Sequence, residues 1–365
     1  VVEGAGLYAV PSMADAAVFL SLEGRYPGVS VPSTAEASLK AEARCGMAGL
    51  LDLNAGRTFI REARAVATEP GMPLAHFAGA LFAAPGGWRV SGQTPWVADV
   101  AEVQEDADLA GPWTRALRFG DQAIFASVDG GTDDLAIPLP VLEHLGSLAH
   151  ARGLPFIIQT NNARRAEQAL AAKPDALLGP LFGLSEAPNL PQELRTANCA
   201  YIPALGSVMN AFPPEPMAAW LRDFPEARVL APAVRAEIED PDNAAAWAAH
   251  WARLGADPSN LLAALHGVAD AGVHLAFGTG SGLPLVFHGL GAQMEIAQWL
   301  RAGLSPTQVL RAATLGSRAL IGLNGGRLEK GEPADLLLIA EDPRTDPQAM
   351  ASPQRVFLGG VEVLP

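Results

Sequence analysis

Short apolar runs that close on glycine or a polar residue alternate along this chain with stretches of helical spacing, and that alternation limits what it can fold into. GMAGLLDLNAG (46–56) is one such run, and the segment before it, TAEASLKAEARC, is rich in helix formers with Thr34 placed as a cap. The format recurs in MPLAHFAGALFAAPGGW (72–88), DQAIFASVDGG (121–131), LPFIIQTNN (154–162), PDALLGPLFG (174–183) and CAYIPALGS (199–207). Between these runs, PLPVLEHLGSLAHARG (138–153) has apolar residues at helical spacing and a glycine stop. A strand that is apolar without alternation is buried on both faces, as in a parallel sheet covered by helices. The repeated βα unit therefore predicts an α/β fold, and its recurrence fits an eightfold barrel.

A chain of 365 residues exceeds the usual size of a single core unless the architecture is such a barrel. With 49% hydrophobic and 18% charged residues it has ample material for a buried interior and is not disordered. Its net charge of -14 repels phosphate backbones and anionic lipid heads, so nucleic acid is not an expected partner. No apolar run approaches the roughly 18 to 20 residues of a membrane helix. Cys45 and Cys199, far apart in sequence, read as two buried thiols. The chain starts at Val1 without a methionine; a cytoplasmic location is the expectation, with export the alternative if a leader was removed. Residues 223–260 are longer than a barrel connection requires and read as an inserted helical pair, either a lid, a partner surface or an extended outer helix.

From Phe277 the chain reads FGTGSGLPLVFHG, then MEIAQWLRAGLSPTQVLRAATLGSRALIGL, then GRLEKGEPADLLLIAEDP and RVFLGGVEV. These motifs closely resemble the closing section of the amidohydrolase superfamily, in its imidazolonepropionase-like and prolidase-like branch. The resemblance implies a TIM-type (β/α)8 barrel over residues 9–327, with a partial β-sandwich formed by residues 1–8 and 328–365. It also implies where metal ligands stand in relatives, at the C-terminal ends of the strands. The stretch resembling the first-strand motif, PSMADAAVF, has Ala17 and Phe19 where relatives have histidines. Phe125 aligns with the bridging lysine or glutamate, Gln159 and Gly179 with the fifth- and sixth-strand histidines, and Gly280 with the catalytic aspartate. Lysine occurs only at Lys40, Lys173 and Lys330, in helix or turn contexts. Alanine, phenylalanine and glycine have no lone pair to offer a cation, and an amide is a poor transition-metal ligand. The expectation is that no metal and no other cofactor is held.

Other polar residues near the strand ends form a candidate pocket: Trp88, Asp129, Gln159, Thr160, Thr279, Ser281 and His288. Gln159 to Asn162 either read a neutral polar ligand or satisfy their own loop. His288 faces the pocket or braces its loop. Trp88 stacks a ligand or plugs the cavity, and Asp129, with Asp133 and Asp134, is a functional acid or a solvated turn former. His144, His150, His250 and His266 fall on helices, whereas His76 and His274 read as satisfied core histidines. Three functional readings follow. The first is a pseudoenzyme binding a small neutral organic ligand or a protein partner, whether an active relative or a second copy of itself. The second is a hydrolase of carbon-nitrogen bonds with a rebuilt site, and the third a metal-free enzyme using Asp129, His288 or Gln159.

Overall fold

The computed structural model describes residues 3–25, 33–86, 99–129, 135–212, 230 and 232–363. Trp88, Asp133 and Asp134 lie outside the described residues.

The predicted βα alternation forms. Strands β2 (Met13–Val18), β3 (Met47–Asp52) and β4 (Leu74–Phe77) pair in parallel, and β5 (Leu81–Ala83) continues the line of β4 after a break. Gly79, at φ +73°, makes that break. β5 is flanked by β6 (Val100–Glu102) on one side and by β7 (Ile124–Ser127) on the other, followed by β8 (Phe156–Gln159), β9 (Ala176–Leu178) and β10 (Ala200–Ile202). The eighth stave, residues 274–281, forms no regular strand because glycines interrupt it, yet it closes the ring. Tyr201 N donates to His274 O at 2.8 Å on one side, and Ala16 N to Phe277 O at 2.8 Å on the other. The result is a TIM-type barrel.

Helices cover the outside: α1 (Ala35–Arg44), α2 (Arg57–Val66), α3 (Asp106–Phe119), α4 (Leu139–His150), α5 (Ala163–Ala169) and α6 (Leu190–Thr196). After β10 come α7 (Gly206–Met209), α8 (Pro232–Glu239), α9 (Pro241–Arg253) and α10 (Pro258–Asp270), then α11 (Gly291–Arg301), α12 (Pro306–Arg311) and α13 (Ser317–Leu320). Thr34 caps α1 by accepting from Ala37 N at 3.2 Å. Ser305 and Gln308 form a reciprocal capping box at α12, so the Ser-Pro start seen in the sequence is realised.

The chain ends meet in a four-stranded antiparallel sheet of β1 (Tyr8–Pro11), β11 (Leu336–Ile339), β12 (Arg355–Leu358) and β13 (Val361–Val363). β1 runs through residue 9, the expected start of the barrel, to Pro11. RVFLGGVEV, read as one strand, is a hairpin of two that turns at Gly359 and Gly360, both at positive φ.

Candidate functional site

The middle of the barrel interior is apolar. Ala17, Phe19 and Phe125 sit in one buried cluster with Leu53, Ile157 and Ile202, and none of the six exceeds 3% exposure. β7 and β8 pair Phe125 with Ile157 and Ser127 with Gln159, so Phe125 lies one inward layer, about 7 Å, below the level of Gln159. An uncompensated ion in such surroundings costs tens of kcal/mol by Born solvation. Among the described residues, no three His, Cys, Asp or Glu side chains converge where they could hold a metal. The residues present at the strand ends therefore do not fit the metal centre that the family resemblance implies.

Two of the aligned positions are glycines at positive φ, and they differ in the room they leave. Gly179 has φ +118°, and a Cβ built there meets Asn161 Oδ1 and Thr160 O at 2.8 Å each. Gly280 has φ +70°, with Leu283 Cδ1 3.2 Å from the same construction. The first sets any side chain against a backbone carbonyl, whereas the second abuts only the flexible end of a leucine.

The polar residues nearby are occupied with one another. The Asp129 carboxylate accepts from Thr160 Oγ1 at 2.7 Å, Arg165 Nη1 at 3.1 Å, Gln159 Nε2 at 3.1 Å and Asn161 N at 3.0 Å. Gln159 Oε1 accepts from Ser127 Oγ at 2.6 Å. Asp129, Gln159 and Thr160 are thus brought together in a closed network that braces the fourth and fifth strand ends. Ser127 is a member that the candidate set omitted, although the period-two alternation from Phe125 flags it.

Thr279 and Ser281 do not border open space. Both are fully buried: Thr279 donates from Oγ1 to Asp15 Oδ2 at 2.6 Å and accepts from Ser281 Oγ at 2.7 Å. Asp15 also accepts from Thr279 N at 3.1 Å and Ala17 N at 2.9 Å, so this network ties the eighth stave to the first. Burial, with Glu42 adding repulsion, pushes the Asp15 carboxyl well above the usual range.

His288 braces its loop. Nδ1 lies 2.8 Å from Glu42 Oε1 and Nε2 2.9 Å from Leu22 O, so both ring nitrogens face acceptors. A neutral imidazole donates from one nitrogen only, so a second proton is required on the ring or on Glu42 to satisfy both contacts. Asp52 lies in the same buried layer; it accepts from Leu20 N at 2.7 Å, and burial raises its carboxyl to about 7. His274, read as a core histidine, is exposed, because it opens the eighth stave at the solvent-facing floor of the barrel. His76 is half-buried, with Nδ1 3.1 Å from Ile321 O.

The inserted pair α8 and α9 docks against loops at the C-terminal end of the barrel. Arg25, after β2, donates from Nε to Glu237 of α8 at 2.8 Å. On α9, Trp247 Nε1 donates to Ser207 O at 3.3 Å, and Trp251 packs edge-on against Phe182, after β9, with ring centroids 6.1 Å apart. These contacts fasten the insertion to loops at that end of the barrel.

Residues 256–363 match the profile of the amidohydrolase family. No curated protein sequence matches the chain. Among solved structures, a Xaa-Pro dipeptidase with methionine bound in its active site superposes with TM-score 0.73 at 16% identity, over 98% of this chain and 87% of that one. A. niger ochratoxinase gives TM-score 0.68 at 16% identity, over 97% and 82%, and a bottromycin amidohydrolase 0.62 at 21%, over 98% and 77%. At these identities the likeness establishes the fold. The closing section, residues 256–363, thus carries the amidohydrolase family signature, and the chain along its length has the fold of these hydrolases.

Proposed function

We propose that this chain is a non-catalytic amidohydrolase-like barrel, a pseudoenzyme that has lost its metal centre and retains the barrel mouth to bind a small neutral ligand. One observation carries the reading: the strand ends that must supply metal ligands present Ala17, Phe19, Gly179 and Gly280, while the amide of Gln159 is spent on Ser127 and Asp129. Metal-assisted hydrolysis of a carbon-nitrogen bond relies on lowering the pKa of bound water to roughly 7, and that needs imidazole and carboxylate donors on rigid strands.

The surviving polar groups are poor substitutes for such a site. Asp129 already accepts from four donors, and both nitrogens of His288 are engaged. The pairing of Asp129 with Arg165 at 3.1 Å neutralises the cluster at the strand ends, which favours an uncharged occupant over an ion. The test is to incubate the purified chain with zinc, desalt it, measure bound metal by mass spectrometry and assay hydrolysis of Xaa-Pro dipeptides. Substoichiometric metal and no hydrolysis above the blank are expected. Stoichiometric zinc accompanied by turnover overturns the proposal in favour of an active hydrolase.

A further inference from the structure

A cavity of about 1060 Å³ opens at the opposite end of the barrel, where the strands begin. Its volume is comparable to the roughly 300–1,000 Å³ of small-molecule sites. The N-terminal face of such barrels ordinarily serves stability. Here Leu320 and Ile321, which close the apolar interior from below, also form part of the recess wall. His76, His150 and His274 line it, three of the seven histidines in the chain.

Most of its polar groups are spent. His76 Nδ1 is held on Ile321 O, and burial keeps this imidazole below its ordinary pKa. His150 Nε2 lies 3.1 Å from Asp175 Oδ2, which also accepts from Phe156 N at 2.8 Å. Gln308 closes the capping box of α12. Arg311 differs: at the exposed last turn of α12, its guanidinium makes no hydrogen bond or ion pair among the described residues. The exposed His274 and the apolar residues Leu275, Leu320 and Ile321 line the same recess.

We infer that this recess is a second binding site, taking a small organic anion whose carboxylate lies on the Arg311 guanidinium and whose apolar body rests on Leu275, Leu320 and Ile321. The planar guanidinium matches a carboxylate with two parallel hydrogen bonds, and the hydrocarbon wall selects against a bare inorganic anion. The site is independent of the strand-end reading, because no residue is shared and metal content has no bearing on it.

Benzoate is the probe, titrated calorimetrically into the full chain, with benzamide and inorganic phosphate each supplying half of the recognised chemistry. Saturable benzoate binding is expected, with both controls weaker by at least about tenfold. Arg311→Gln weakens benzoate by a similar factor, since a charge-assisted bidentate contact is lost. Ala319→Trp, at an exposed position on the recess wall, blocks binding while leaving the guanidinium in place. Far-UV circular dichroism verifies that both surface variants fold, and either alone suffices for the test. Absence of saturable binding to the native chain, equal binding of benzamide or phosphate, or native-like benzoate affinity in a folded variant overturns the assignment.

Discussion

Substituting Gly179→Ala tests whether the sixth strand end is closed to side chains by its backbone. At φ +118° an L-residue sits in a region occupied almost only by glycine, at a cost of about 1–3 kcal/mol. The added methyl would lie 2.8 Å from Asn161 Oδ1 and from Thr160 O. The Asn161 amide can swing aside, but the Thr160 carbonyl is backbone and does not retreat easily: Thr160 N is bonded to Leu178 O at 3.0 Å, and Gly179 N to Ile202 O at 2.9 Å. Overpacking against such fixed atoms adds about 1–3 kcal/mol. The sum, about 2–6 kcal/mol, is a large part of the roughly 5–15 kcal/mol that holds a typical domain folded. Urea unfolding at constant slope measures it, with Gly153→Ala as reference, because Gly153 has φ +65° and open space around its missing Cβ. That reference carries only the backbone cost of about 1–2 kcal/mol. Equal losses for the two variants would refute the packing argument and reopen this position to a histidine. If the larger loss is found, placing His at 179 requires moving the strand end, and a donor set cannot be built there by side-chain substitution alone.

Gly280→Asp has the opposite expectation: aspartate tolerates φ near +70° and the nearest atom is a flexible leucine methyl, so the cost is about 1 kcal/mol by denaturation. The variant still takes up no stoichiometric zinc by mass spectrometry, because one carboxylate lacks partners, and stoichiometric uptake would contradict this. His288→Gln removes the ring that faces the buried Glu42 carboxylate and destabilises by about 3–5 kcal/mol in thermal or urea unfolding; a neutral result would rule out the bracing role. Asp52 is raised from 3.8 to about 7, so its stabilising contribution is complete below the unfolded value and disappears as pH rises through 7. Between pH 5 and 7 the stability of the native chain relative to Asp52→Asn therefore falls by about 2 kcal/mol, whereas a constant or rising difference refutes the buried-acid assignment.

The barrel is legible in the sequence because each βα unit declares itself locally, through an apolar run, a glycine or polar stop and a helix of matching spacing. The eighth stave is the exception in form: Gly278, Gly280 and Gly282 deny it a regular ladder, and it is recognised by the neighbours that bond to it. That Ala17, Gly179 and Gly280 bring no metal donor is legible too, since alanine and glycine cannot ligate whatever their surroundings. What the surviving polar residues do is not, because their partners are remote in the chain. Asp15 and Thr279 are 264 positions apart, and His288 and Glu42 are 246 apart. His274 departs from its expected burial for a related reason: strand periodicity tells which way a side chain faces but not how far along the barrel axis it stands, and the first inward residue of a stave meets solvent at the floor. The amino-acid pattern of α1 does carry a clue to one of these distant pairings. Ala35, Ser38, Leu39, Glu42 and Ala43 share its buried stripe, so a carboxylate stands in the row that packs on the barrel. A buried carboxylate requires a donor or a proton, and the fold supplies His288 Nδ1 at 2.8 Å. Glu42 thus supplies the physical reason for His288 to brace the fold instead of serving a ligand.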